Sequence, residues 1–140
     1  MNEERKIDRA TLDALRQELG ANFGRILGYF TEDGAKSILA IEEAARVRSA
    51  VALVRPAHTL KGESLQFGAT TLGSTAERIE MAARQAVEDH DFPLQIVEDV
   101  VQLRPLFDHA VAVLTRQAQP AVPAMPMRRA AGGFGRKVGA

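Results

Sequence analysis

Apolar side chains recur along this chain every three or four residues, the period of a helix with one buried face. Leu12, Leu15 and Leu19 form the first such run, with Asp8 ahead of it in the position of an N-cap, so a helix is predicted from about residue 9 to Gly20. A second run passes through Phe23, Ile26, Leu27 and Phe30 and resumes to about Arg46, with Ile38, Ile41 and Ala45 inward. Gly24, Gly28 and Gly34 lower helix propensity there, and Thr31-Glu32-Asp33-Gly34 reads equally as a kink or a break. Ser49 is placed to cap a third helix, whose Leu53, Leu60 and Phe67 share one side and which ends near Phe67, with Gly68 suited to a left-handed cap. Thr70 or Thr71 opens a fourth, apolar at Leu72, Ala76, Ile79, Ala83 and Ala86. Asp91, with Pro93 in the first turn, opens the last, where Val97, Val100, Val101, Leu106, Phe107, Val111 and Leu114 are predicted to be buried and Pro105 to kink the helix. No stretch alternates as a half-buried strand does, and the connections are short. The predicted fold is therefore all-α: an up-and-down antiparallel four-helix bundle with an extra N-terminal helix.

Length changes this picture little. With 140 residues and 46% apolar content there is chain enough for one core and too little for two, or for a kinase catalytic domain. Charge changes it more. Acids and bases balance at eighteen each, but no acid lies in residues 120–140, which hold Arg128, Arg129, Arg136 and Lys137. Residues 1–119 thus form an acidic body, the expected helical domain, and the rest a basic, Pro/Gly-rich tail. Pro120, Pro123 and Pro126 break any helix and Gly132-Gly133-Phe134-Gly135 adds freedom, so the tail is expected to be disordered and dispensable. The alternative is a basic arm, anchored by Phe134, reaching an acidic partner or the body itself. An acidic body is not a nucleic-acid-binding composition. There is no cysteine, hence no disulfide or thiolate zinc site. No run of about 18 apolar residues occurs, and a soluble, unexported, cytoplasmic chain without membrane attachment is expected.

The third helix carries the candidate chemistry. His58 falls away from the Leu53 and Leu60 side, with Arg55 three positions back and Lys61 and Gly62 three and four positions on, its helical neighbours. Glycine inside a helix costs about 1 kcal/mol relative to alanine, and here it leaves the approach to the ring uncovered. A neutral imidazole, with an ordinary pKa near 6.5, has a free lone pair and needs no separate base to attack phosphorus. Lys61 can steady phosphoryl oxygens as a point charge. A lone helical histidine is more often an idle surface residue, but Lys61 and Gly62 at these offsets argue against that. His90, His109 and Asp108 lack ligand spacing, so no metal site is expected, and there is neither a Ser-His-Asp set nor a Gly-rich phosphate loop.

At these residues the chain resembles a known family. Ala57-His58-Thr59-Leu60-Lys61-Gly62, followed by Ser64, Gln66, Phe67-Gly68-Ala69 and Leu72, is similar to the signature of the histidine-containing phosphotransfer domain, and the likeness in helix spacing extends over most of residues 8–117. The resemblance implies a four-helix bundle with a short extra N-terminal helix, in which His58 carries a phosphoryl group to or from the aspartate of a response-regulator receiver domain. It implies a phosphocarrier of a two-component phosphorelay with no autonomous catalytic activity, with response-regulator receiver domains and a hybrid or cognate histidine kinase as partners. No cofactor of its own is expected, magnesium being supplied by the receiver, and a monomer is expected. Two departures stand out: Glu63, which would add negative charge near a phosphorylated site, and Pro56, inside the helix. They leave open a helical adaptor that binds a receiver or other signalling protein without carrying phosphate.

Two further sets of residues complete the expectation. Glu80 lies one position beyond Ile79, at the border of the core, and could hold the imidazole nitrogen that does not react; an exposed glutamate paired with Arg84 reads equally well. Val51, Val54 and Leu65 fall within about 40° of His58 on a helical wheel and, with Arg55, form the expected partner-binding face, the alternative being burial against the N-terminal helix.

Overall fold

The computed structural model describes residues 6–118, and the expectations for residues 120–140 lie outside the described residues. Five α-helices follow one another: α1 Arg9–Leu19, α2 Phe23–Arg46, α3 Ala50–Gln66, α4 Thr70–Asp89 and α5 Leu94–Ala118, with a short 3-10 turn at Gly20–Asn22. Among the described residues there is no strand. α2 packs on α3 and α5, and α4 packs on the same two, which closes a ring of four helices around one core. α1 lies across one end against α2 and α3.

Two of the predicted caps are in place. The Asp8 carboxylate accepts the amide of Ala10 at 3.2 Å, and the Ser49 hydroxyl oxygen accepts that of Ala52 at 3.2 Å, each satisfying a donor that has no partner within its helix. At the other end of α3, Gly68 adopts φ +81, and a Cβ there would stand 2.7 Å from the Asp8 carbonyl oxygen. That same approach lets the Asp8 amide donate to the Gly68 carbonyl at 2.6 Å, so one glycine both ends α3 and docks α1. Phe23, Phe30, Phe67 and Phe107 meet ring to ring nearby, with centroids 5.0 to 5.9 Å apart.

Three sequence expectations are corrected by packing. α2 runs unbroken through Thr31–Gly34, because Gly34 is buried and its missing Cβ is the space that the Phe107 ring occupies. Ala44 is fully buried and Ala45 only half-buried, one position off the predicted stripe. The largest error is in α5. Its buried stripe is Ile96, Val100, Leu103, Phe107, Ala110 and Leu114, while Val101 is 67% exposed and Val97, Leu106 and Val111 lie at the margin. Apolar residues stand in adjacent pairs along this helix, so period alone allows two phases, and contact with α2 and α4 selects one. α5 begins just after Pro93, and both α3 and α5 continue past their internal prolines, Pro56 and Pro105.

Candidate functional site

The site is made where α3 meets α4. These two helices make the most extensive contact in the bundle, and buried small residues are placed on both: Ala57 and Ser64 on α3, and Gly73, Ala76 and Ala83 on α4. At Gly73 the space of a Cβ is taken by the Leu65 side chain, whose Cδ2 would lie 2.5 Å from it. Helices held so near each other place a long side chain of one under the outer face of the other.

Glu80 is that side chain. It is 3% exposed, a carboxylate inside the bundle, where an unpaired charge would be strongly disfavoured. Three groups compensate it. Oε2 lies 3.0 Å from His58 Nδ1 and accepts from Arg84 Nε at 3.0 Å and Arg84 Nη2 at 2.8 Å, while Oε1 faces Lys61 Nζ at 3.1 Å. Burial pushes the Glu80 carboxyl up, but the bonds from Arg84, then Lys61 and His58, outweigh it and hold the group down at about 2. It is therefore ionised throughout the neutral range. Both pairings left open by the sequence coexist here, and the exposed placement of Glu80 does not hold.

An ionised carboxylate only accepts hydrogen bonds, so the nitrogen that faces it carries the proton. In His58 this is Nδ1, which leaves the lone pair on Nε2. The His58 side chain is 61% exposed, so the ring is open to solvent while its Nδ1 is anchored on Glu80. Gly62 is exposed, with nothing within 4 Å of where a Cβ would stand. Lys61 is mostly covered, its side chain 22% exposed, and its ammonium rests on Glu80 at the edge of the same surface.

A pattern match now adds to the geometry. Residues 25–112 match the family model described as the Hpt domain. The chain belongs to the Hpt domain family. It is thus a histidine phosphotransfer domain of a phosphorelay, a phosphocarrier whose kind works between kinases and receiver domains. Among solved structures it is similar to histidine-containing phosphotransfer protein B (HptB) from Pseudomonas aeruginosa PAO1, with a TM-score of 0.72 and 23% identity over 81% of this chain and 95% of that one, a likeness of fold. No curated protein sequence matches the chain.

Not every residue singled out in the sequence gathers at this Hpt site. Val51 is 71% exposed and Leu65 41% exposed, Arg55 is exposed, but Val54 is half-buried and packs against the core. Val54 is thus less open than predicted, since it also packs on the core. Val51, Val54 and Arg55 instead form one wall of an open groove of about 570 Å³, and Arg84, Val87 and Glu88 of α4 form the other. That second wall was missed, although Glu80, Arg84, Val87 and Glu88 share one helical face and could have signalled it.

Glu63 is corrected as well. Five positions beyond His58, it turns toward α2, where burial and the nearby charge of Asp33 push its carboxyl up, so its charge does not lie at the histidine. His90 caps α4 in a left-handed conformation and His109 is half-buried on α5. Among the described residues no group of three or more His, Cys, Asp or Glu side chains is arranged to hold a metal, and no helix is long and apolar enough to cross a membrane.

Proposed function

We propose that His58 is the phosphoacceptor and that its Nε2 is the reacting atom. The observation that carries this reading is the Nδ1 contact with buried Glu80, which leaves Nε2 bearing its lone pair on an exposed ring. Nε2 attacks the phosphorus of a receiver aspartyl phosphate; the new P–N bond forms as the P–O bond breaks and the aspartate leaves as carboxylate. The reverse step phosphorylates a second receiver. Gly62 keeps the in-line approach open, and Lys61 and Arg84, both tied to Glu80, set positive charge beside the incoming phosphoryl oxygens. Val51, Arg55 and Leu65 would meet the receiver around the ring, with the α3–α4 groove beside them.

The domain acts without catalytic activity of its own and without a cofactor, as a cytoplasmic monomer; magnesium and the acidic pocket belong to the receiver, and the phosphoryl group enters from a hybrid or cognate histidine kinase. The departures that had favoured a phosphate-free adaptor lose their force, since Glu63 faces α2 and α3 continues through Pro56. The test is to incubate the protein with a phosphorylated receiver, and separately with acetyl phosphate. Acid-labile, alkali-stable label that disappears in His58→Gln supports the reading. Label that persists in that variant refutes it.

A further inference from the structure

Glu80 does more than orient a ring. The same Oε2 atom serves His58 Nδ1 and both Arg84 nitrogens, so the imidazole shares its acceptor with a fixed guanidinium. Resting on the reading that Nε2 is phosphorylated, we infer that Glu80 also sets the lifetime of the phosphohistidine: it keeps the Nδ1 proton on the phosphorylated ring and so holds the phosphoryl group in its readily transferred form.

The chemistry is that of the leaving group. When a nucleophile attacks phosphorus, the P–Nε2 bond breaks and its electron pair goes to Nε2. If Nδ1 keeps its proton, the ring departs as neutral imidazole; if Nδ1 has lost it, the ring must depart as an imidazolate anion, a far poorer leaving group. With water as nucleophile the products are inorganic phosphate, which takes the water's protons, and the neutral ring in the tautomer seen here. A carboxylate oxygen 3.0 Å from Nδ1 accepts a hydrogen bond from the proton there and so favours the ring that keeps it. A neutral amide in its place could accept the same hydrogen bond without the charge.

The charged groups around the ring come from two helices. Glu80 and Arg84 lie on α4, and Lys61 and Arg55 on α3. α2 meets α3 on another side, where its Asp33 faces Glu63. Arg84 and Lys61 oppose Glu80, so the expected effect on the half-life is modest, about tenfold.

The full chain and its Glu80→Gln and Arg84→Gln variants are to be labelled from a phosphorylated receiver, separated from it, and followed for loss of label at about pH 5 and about pH 8.5, on either side of the ordinary imidazole range. Glu80→Gln should lengthen the half-life about tenfold at the higher pH and hardly at the lower, where the proton is present without help. Arg84→Gln should shorten it at the higher pH, since Oε2 is then left to the ring alone. Equal half-lives, or the same lengthening at both pH values, overturn the inference, the latter because it would mark simple repulsion of the phosphoryl group. If Glu80→Gln does not fold, an Arg84→Gln half-life that is unchanged or longer overturns it too. Absence of label from the wild-type chain would instead bring down the phosphoacceptor reading itself.

Discussion

Gly62 offers the sharpest separation of folding from function. It is an interior residue of α3, exposed, with no neighbour within 4 Å of a prospective Cβ, so a side chain there meets no steric resistance. Replacing it by alanine should raise stability by about 0.5–1 kcal/mol, the helix-propensity difference, partly through lower entropy of the unfolded chain. For a domain of this size that is about 4 °C in melting temperature. Glutamine, also a good helix former, should gain nearly as much. Transfer should respond in the opposite sense. Helical side chains lean toward the N-terminus over the residue four positions back, and four back from Gly62 is His58. The bare methyl of alanine adds little there, whereas the glutamine chain covers the ring and displaces an incoming phosphorus by an ångström or more, a misplacement that costs on the order of a hundredfold in rate. The assay pairs single-turnover transfer from a phosphorylated receiver with thermal melting followed by far-UV circular dichroism. Full transfer by Gly62→Gln would refute the idea that the glycine keeps an approach open, and destabilisation by Gly62→Ala would refute the reading of its surroundings.

Three further outcomes follow from the same geometry. His58→Gln should abolish transfer and leave helical content and melting temperature nearly unchanged, because the ring is mostly exposed; loss of folding would contradict that placement. Glu80 has a folded-state pKa of about 2 against an ordinary 4.5, so its ionisation contributes stability that is complete above 4.5 and lost as pH falls through 2. After allowance for solvent at the exposed ends of Arg84 and His58 this is on the order of 2 kcal/mol, read as a wild-type advantage over Glu80→Gln in urea melts that narrows across that window; a gap independent of pH would count against it. Val51→Asp should weaken receiver binding with a stability change within about 0.5 kcal/mol, whereas Leu65→Asp, stripped from its seat on Gly73, should lose stability as well as binding. Titration with a receiver alongside thermal melts distinguishes the two, and equal effects at both positions would remove Val51 from the docking face.

The sequence by itself determined most of the helices and the place of the reactive ring, because those depend on neighbours in the chain. Period placed Leu53 and Leu60 inside and His58 outside, side chains at Asp8 and Ser49 capped their helices, and Gly68 ended α3, all through contacts a few residues long. The motif around His58 was legible for the same reason, since three- and four-residue offsets on one helix are fixed by helix geometry. What failed had its cause on another helix. Adjacent apolar pairs in α5 allowed two phases until α2 and α4 chose between them, and the glycine at 34 looked like a helix breaker until the Phe107 ring filled its place. Glu80 illustrates the limit best. Nothing local distinguishes a solvated glutamate from a buried one, and only the close seam of α3 and α4, built on Ala57, Gly73, Ala76 and Ala83, buries its carboxylate beneath the histidine with Lys61 and Arg84 to compensate the charge.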